Sequence, residues 1–229
     1  MKTIFIILLC LLLSGCAPED VPAANVPATV PVVTTQPETL PPVTAPPETL
    51  PESSDDTLVR VLDYIPTIQV ELKYATEDNF TGKVIYDFDQ AYLRYGTVKK
   101  LAKAQEFFQA QGLSLKIWDA YRPVSAQWQL WEACPDPTYV ANPNRTHSSH
   151  SRGNTIDVTL VDASGQELPM PTGFDDFSPL ADRDYSDCSL TTAENARLLQ
   201  SILEQNGFSG YQGEWWHFSD TDSYPVEES

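Results

Sequence analysis

From Ala17 to about Ser54 the chain is dense in Pro, Thr, Val and Glu, contains no Lys or Arg, and repeats PETLP at positions 37 and 47. Proline fixes φ and withholds a backbone donor, and a stretch this poor in bulky apolar side chains cannot bury enough surface to offset its ordering entropy. An extended, partly polyproline tether is expected over residues 16–56. Whatever folds must therefore lie beyond it. The 173 residues from Thr57 to Ser229 are ample for a single core, so one domain is expected over 57–229.

The chain opens with MKTIFIILLCLLLSGC, in which Lys2 precedes an apolar run from Ile4 to Leu13 and then small residues. That run is short for a bilayer span and has the order of an export signal, expected over residues 1–15. Leu13, Ser14, Gly15 and Cys16 resemble a bacterial lipobox, which makes Cys16 the site of lipidation and the first residue of the mature chain. The expected location is the outward face of a bacterial cell membrane, with attachment through lipid. A single acyl chain binds only marginally, but a diacylated cysteine holds well.

Two cysteines, Cys134 and Cys188, remain in a compartment where disulfides persist, and the sequence leaves open whether they pair. Neither lies in a C-x-x-C pair, which argues against a thiolate metal site. Beyond residue 56 the chain carries 25 acids against 13 Lys and Arg, within an overall charge of −18. So acidic a surface excludes nucleic acid as a partner and gives no electrostatic attraction to anionic lipid. The sequence does not fix the oligomeric state.

Extended, partly alternating apolar residues predict strands between Val59 and Tyr74, around Pro66. Val98, Leu101, Ala104, Phe107 and Phe108 form an apolar stripe that predicts a helix from Thr97 to Gln111, stopped by Gly112. A strand is predicted over Leu113–Trp118, a helix from Pro123 through Trp131, and a strand over Thr155–Val161. Leu198, Leu199, Ile202 and Leu203 then mark a helix over Thr191–Gln205, closed by Asn206 and Gly207. Glu214–Ser219 reads as a short aromatic strand. Because strands and helices do not alternate regularly, the expected fold class is α+β, a central and largely antiparallel sheet flanked by helices.

All three histidines fall in two short segments, THSSHSRGNTIDVTL and GEWWHFSD, each of which also holds an acid. Catalytic zinc commonly takes three ligands from His, Asp and Glu and keeps a fourth position open. His150, Asp157 and His217 supply such a set, with one Zn²⁺ expected per chain. The spacing also constrains the backbone. Seven residues separate His150 from Asp157, an odd offset that puts them on opposite faces of a regular strand. A turn at Gly153 is needed to bring them together. Glu214 and His217 are three apart, so a bend is expected near Trp215 and Trp216. His147 competes with His150 as a ligand on residue type alone.

The segments YATEDNFTG (74–82), DAYRP (119–123), SSHSRGNTIDVTL (148–160) and EWWHF (214–218) resemble those of the VanX-type D-alanyl-D-alanine dipeptidases. These belong to the wider family of zinc D-Ala-D-Ala peptidases with the Hedgehog-like fold. The likeness runs in order from Val59 to Phe218, and several long motifs in order are far harder to meet by chance than one. It implies zinc on His150, Asp157 and His217, with the SxHxxG match selecting His150 over His147. It further implies Glu214 as general base and Arg122 as the electrostatic partner of the transition state. Ser148 and Asp175 match family positions at the substrate site, where a carboxylate needs a donor and an ammonium needs an acid. From the residues alone, Arg122 has the alternative of a salt bridge orienting the turn before Pro123, Ser148 that of a turn cap and Asp175 that of a solvated loop acid.

The expected function is zinc-dependent hydrolysis of D-alanyl-D-alanine to two D-alanines by a water that the metal activates, at the cell surface. Two alternatives stand beside it. One is a D,D-carboxypeptidase trimming peptidoglycan stem peptides; the other is a zinc-containing wall-binding lipoprotein without turnover.

Overall fold

The computed structural model describes residues 52–228. The export signal over 1–15, Cys16 and nearly all of the tether over 16–56 lie outside the described residues. Residues just before Thr57 already belong to the folded body: Asp55 pairs with Lys99 at 2.6 Å and Ser54 accepts from the Thr57 amide at 2.9 Å. The domain therefore begins a few residues earlier than composition indicated.

In chain order the elements are β1 (Leu58–Arg60), α1 (Val61–Tyr64), β2 (Gln69–Val70), β3 (Tyr92–Arg94), α2 (Tyr95–Gln109) and β4 (Leu113–Asp119). There follow α3 (Val124–Ala133), β5 (Thr155–Asp162), α4 (Leu190–Gln205), β6 (Phe208–Gly210) and β7 (His217–Asp220). Single 3₁₀ turns occupy Lys73–Ala75, Ser149–Arg152 and Pro179–Ala181. The central sheet has the order β2-β4-β5-β7-β6, parallel only between β2 and β4; β1 and β3 form a separate antiparallel pair. This is the α+β architecture with a largely antiparallel sheet, and α2 and α4 pack on it.

The segment around Pro66 differs from expectation. Val61–Tyr64 turns helically and only Gln69–Val70 pairs in the central sheet, because the Val61 amide is taken by the Ala91 carbonyl and Pro66 has no amide to offer a ladder. On α2 the stripe holds at Val98, Leu101, Ala104 and Phe108, while Phe107 is exposed and Gln105 is buried in the core-facing row instead. Gln105 is fully bonded there: its Oε1 accepts from the Leu115 amide at 2.9 Å and its Nε2 donates to Ser114 Oγ at 2.8 Å. Each such bond contributes about 1 kcal/mol and fixes α2 against β4.

The disulfide between Cys134 and Cys188 is not formed. Both are free thiols at the margin of the core, Cys134 closing α3 and Cys188 pointing its Sγ at the Tyr185 carbonyl 3.5 Å away.

β5 is buried on both faces, and its sequence divides them. Ile156, Val158 and Leu160 point into the apolar core, whereas Thr155, Asp157 and Thr159 are buried on the other side. A polar residue of this kind is expensive to bury without partners, and Thr155 Oγ1 meets Ser219 Oγ at 2.9 Å while Asp157 meets two histidines.

Candidate metal centre

Register places the site. Asp157 in β5 stands opposite His217 in β7 on one side and opposite Asp119 in β4 on the other. Directly opposed residues of an antiparallel pair share a face, so three polar side chains form one row across three strands. The row depends on an irregularity: pairing shifts by one residue between Ile117 and Asp119, which aligns Asp119 rather than Trp118 with Asp157.

His150 reaches this row from outside the sheet. Ser148 Oγ accepts from the His150 amide at 3.3 Å and starts the 3₁₀ turn, and Gly153 ends it at φ +70°. A Cβ at Gly153 would stand 2.5 Å from Leu58 Cδ2, so both the conformation and the close approach require glycine. The turn predicted there is thus realised. The bend predicted near the tryptophans is present too: only His217–Asp220 is strand, and Glu214–Trp216 form a turn in which the His217 amide meets the Glu214 carbonyl at 3.4 Å.

His150 Nε2 lies 3.3 Å from Asp157 Oδ2 and 3.4 Å from His217 Nδ1, which is 3.1 Å from Asp157 Oδ1. Metal–ligand bonds of about 2.0–2.1 Å in a tetrahedron set donor atoms about 3.3 Å apart, and each of these separations is close to that, with the two histidines facing different oxygens of Asp157. His150 Nδ1 is 2.8 Å from the Ala120 carbonyl oxygen; donating there leaves Nε2 with its lone pair toward the triangle. Asp157 Oδ1 is buried and takes no directed hydrogen bond, an arrangement that a cation would satisfy. Among the described residues, these three form the one His, Cys, Asp and Glu cluster with metal-holding geometry. His147 is exposed and not part of it.

A cavity of about 240 Å³ opens over the triangle, lined by Arg122, Ser148, Asp175, Glu214 and Trp216 among others. Glu214 Oε2 is 3.5 Å from His217 Nδ1. Burial raises its carboxyl to about 7 against the pull of His217, with Asp157 and Asp175 raising it further. Burial likewise lifts Asp175 to about 7, although its Oδ2 accepts from Tyr74 Oη at 2.8 Å. Burial also opposes ionisation of Asp157, but His150 and His217 outweigh it and hold the carboxyl well below the usual range.

Arg122 unites the two readings open to it. Its Nε and Nη2 donate to Asp119 Oδ2 at 3.0 and 2.6 Å and its Nη1 donates to Gln127 Oε1 at 2.9 Å, yet the side chain also borders the cavity. Asp119, fully buried, further accepts from Tyr86 Oη and the Ala120 amide. Removing one partner of such a buried pair costs about 3–5 kcal/mol. The sequence reading passed over Asp119, although a D-x-x-R pair within DAYRP is the signal for it. Ser148 is the expected turn cap and lines the cavity as well. Phe80 borders the cavity, whereas Asn79 ties its own loop, donating to the carbonyls of Lys73, Thr76 and Lys83.

Comparison with known proteins gives the family. The peptidase M15 family model, described as D-ala-D-ala dipeptidase, matches residues 54–228. A D-alanyl-D-alanine dipeptidase of Escherichia coli is 42% identical over 176 residues, covering 76% of this chain and 91% of that protein. Dipeptidases of the same name from Enterococcus faecium and Enterococcus faecalis are 36% and 34% identical, covering 66% and 69% of this chain and 85% and 89% of theirs. With a match over most of its length and a donor triangle at the expected residues, the chain belongs to the D-Ala-D-Ala dipeptidase family of M15 metallopeptidases.

Proposed function

We propose that this protein hydrolyses D-alanyl-D-alanine to two D-alanines, using one zinc ion, on the outward face of the cell membrane. The observation that carries the reading is the buried donor triangle of His150, Asp157 and His217 with Glu214 beside it at the floor of a small cavity. A zinc ion held by His150, Asp157 and His217 would supply Lewis acidity at this end of the cavity. Glu214, beside His217 at the cavity, accepts the proton of the attacking water and delivers it to the leaving amine. The Arg122 N–H groups that Asp119 and Gln127 do not engage donate to the developing oxyanion, and Asp119 fixes the plane of the guanidinium. Ser148 Oγ accepts from the His150 amide, which leaves its own O–H to donate to the substrate carboxylate. Asp175, held by Tyr74, receives the substrate ammonium. Trp216 and the aromatic rings around Tyr74 and Phe80 keep water from the reacting groups.

Purified protein is expected to release D-alanine from the dipeptide, and a chelator is expected to stop it. Glu214→Ala should lose about 10²–10⁴ in kcat while retaining zinc. Cleavage of a stem pentapeptide alone would replace this reading with the D,D-carboxypeptidase one; zinc and peptide binding without turnover would leave a binding protein.

Asp175 gives a pH dependence. Below about 7 its carboxyl takes up a proton and no longer attracts an ammonium, so KM should rise as pH falls through that value. Asp175→Asn should raise KM about tenfold and flatten this dependence, as loss of one charge-assisted bond implies. An unchanged KM profile would remove Asp175 from substrate binding.

Outward location rests on the signal and on Cys16, which the proposal takes as lipidated. Cys16→Ala should move the protein out of the membrane fraction. Retention there would contradict the anchor.

A further inference from the structure

Arg183 lies outside every motif that points to the site, yet its guanidinium ties both ends of the turn that carries Glu214 and His217. Its Nε donates to the Tyr211 carbonyl at 2.8 Å and its Nη2 donates to the His217 carbonyl at 2.9 Å. The same turn is drawn to this segment by the backbone, through Arg183 N to the Gln212 carbonyl at 3.1 Å and Trp215 N to the Ala181 carbonyl at 2.8 Å. The ends of the turn also meet directly, the Tyr211 amide donating to the His217 carbonyl at 3.1 Å, whereas the bonds inside it are longer: Glu214 N to the Tyr211 carbonyl is 3.3 Å, and His217 N to the Glu214 carbonyl is 3.4 Å. Bonds of that length hold a backbone weakly. The guanidinium adds shorter, charged bonds at both ends, because its fork donates to the two carbonyls in fixed geometry.

Two further features build this position. The Arg183 Cζ sits 4.3 Å from the Phe218 ring centroid, so the residue after the ligand supplies a π-face for the cation. Gly210 supplies the space: a Cβ there would fall 2.3 Å from Arg183 Cζ and 2.5 Å from Nη2. Space, ring and two acceptors all converge on one side chain.

We infer that Arg183 is a positioning residue for catalysis, fixing the Tyr211–His217 turn so that the Glu214 carboxylate and the His217 Nδ1 donor keep their mutual placement. It touches neither metal nor substrate. Its effect passes through the backbone to two side chains that act together, the base and one ligand. The inference rests on the proposed roles of those two residues in dipeptide hydrolysis.

The test uses Arg183→Met, which keeps the aliphatic length and removes the fork, and Arg183→Lys, which keeps the cation and one donor. Zinc affinity, measured by chelator competition, is read beside kcat and KM for D-alanyl-D-alanine. Arg183→Met is expected to weaken zinc binding and lower kcat, each by about 10–100-fold, the usual loss for a supporting partner of a metal ligand. KM should stay within about twofold, since the substrate contacts are intact. Arg183→Lys should fall between the two proteins in both quantities. Gly210→Ala, which displaces the guanidinium without altering it, should reproduce the Met variant. Should Arg183→Met not fold, as judged by circular dichroism, the Lys and Ala variants carry the comparison. Wild-type zinc affinity and kcat in folded variants, or a rise in KM alone, would overturn the inference. If the unsubstituted protein shows no hydrolysis, the proposed function fails separately, and the zinc affinities still decide the role of Arg183.

Discussion

Asp157 is a carboxylate buried between two imidazoles, and most of the site follows from where its strand puts it. Its neighbours in register are His217 and Asp119, so a single row across β4, β5 and β7 contributes two corners of the donor triangle and the anchor of Arg122. A one-residue slip would turn every member of that row to the opposite face. The alternation of Thr155, Asp157 and Thr159 with Ile156, Val158 and Leu160 prevents the slip, because it would bring polar groups into an apolar core and apolar ones into the cavity. The apolar face of β5 thereby protects the geometry of the polar one.

Burial together with charge explains the unusual carboxyls. Asp119, Asp157, Asp175 and Glu214 gather around the guanidinium of Arg122 and two imidazoles. Asp119 and Arg122 neutralise each other at 2.6 Å, and Asp157 is held ionised by His150 and His217. Glu214 and Asp175 are left beside a negative charge in a poorly solvated pocket, and both rise to about 7. A divalent cation at the triangle and an ammonium at Asp175 would each relieve that repulsion. The electrostatics of the protein are thus complementary to a metal and a zwitterionic peptide together.

Much of this was legible in the chain because the constraints were local. Odd offsets between His150 and Asp157, and between Glu214 and His217, rule out straight strands, and the structure resolves them with a left-handed Gly153 and a turn at Trp215. Long periodic helices were likewise readable, within two residues at α2 and one at α4. What escaped was set by distant partners. Val61–Tyr64 follows the Ala91 carbonyl that accepts from the Val61 amide, Gln105 is buried because Leu115 and Ser114 meet it, and Phe107 is left outside. Asp119 carried a local signal, its partner Arg122 three residues on, whereas Arg183 acts through backbone carbonyls, and carbonyls carry no sequence signature.

The central claim is a single metal on His150, Asp157 and His217. Zinc-edge X-ray absorption of the purified protein with one equivalent of zinc tests it most directly. The expected result is a first shell of nitrogen and oxygen at about 2.0–2.1 Å, with outer-shell scattering from two imidazoles and no sulfur. Sulfur at about 2.3 Å, which only a cysteine or methionine could provide, or failure to retain zinc at all, would contradict it.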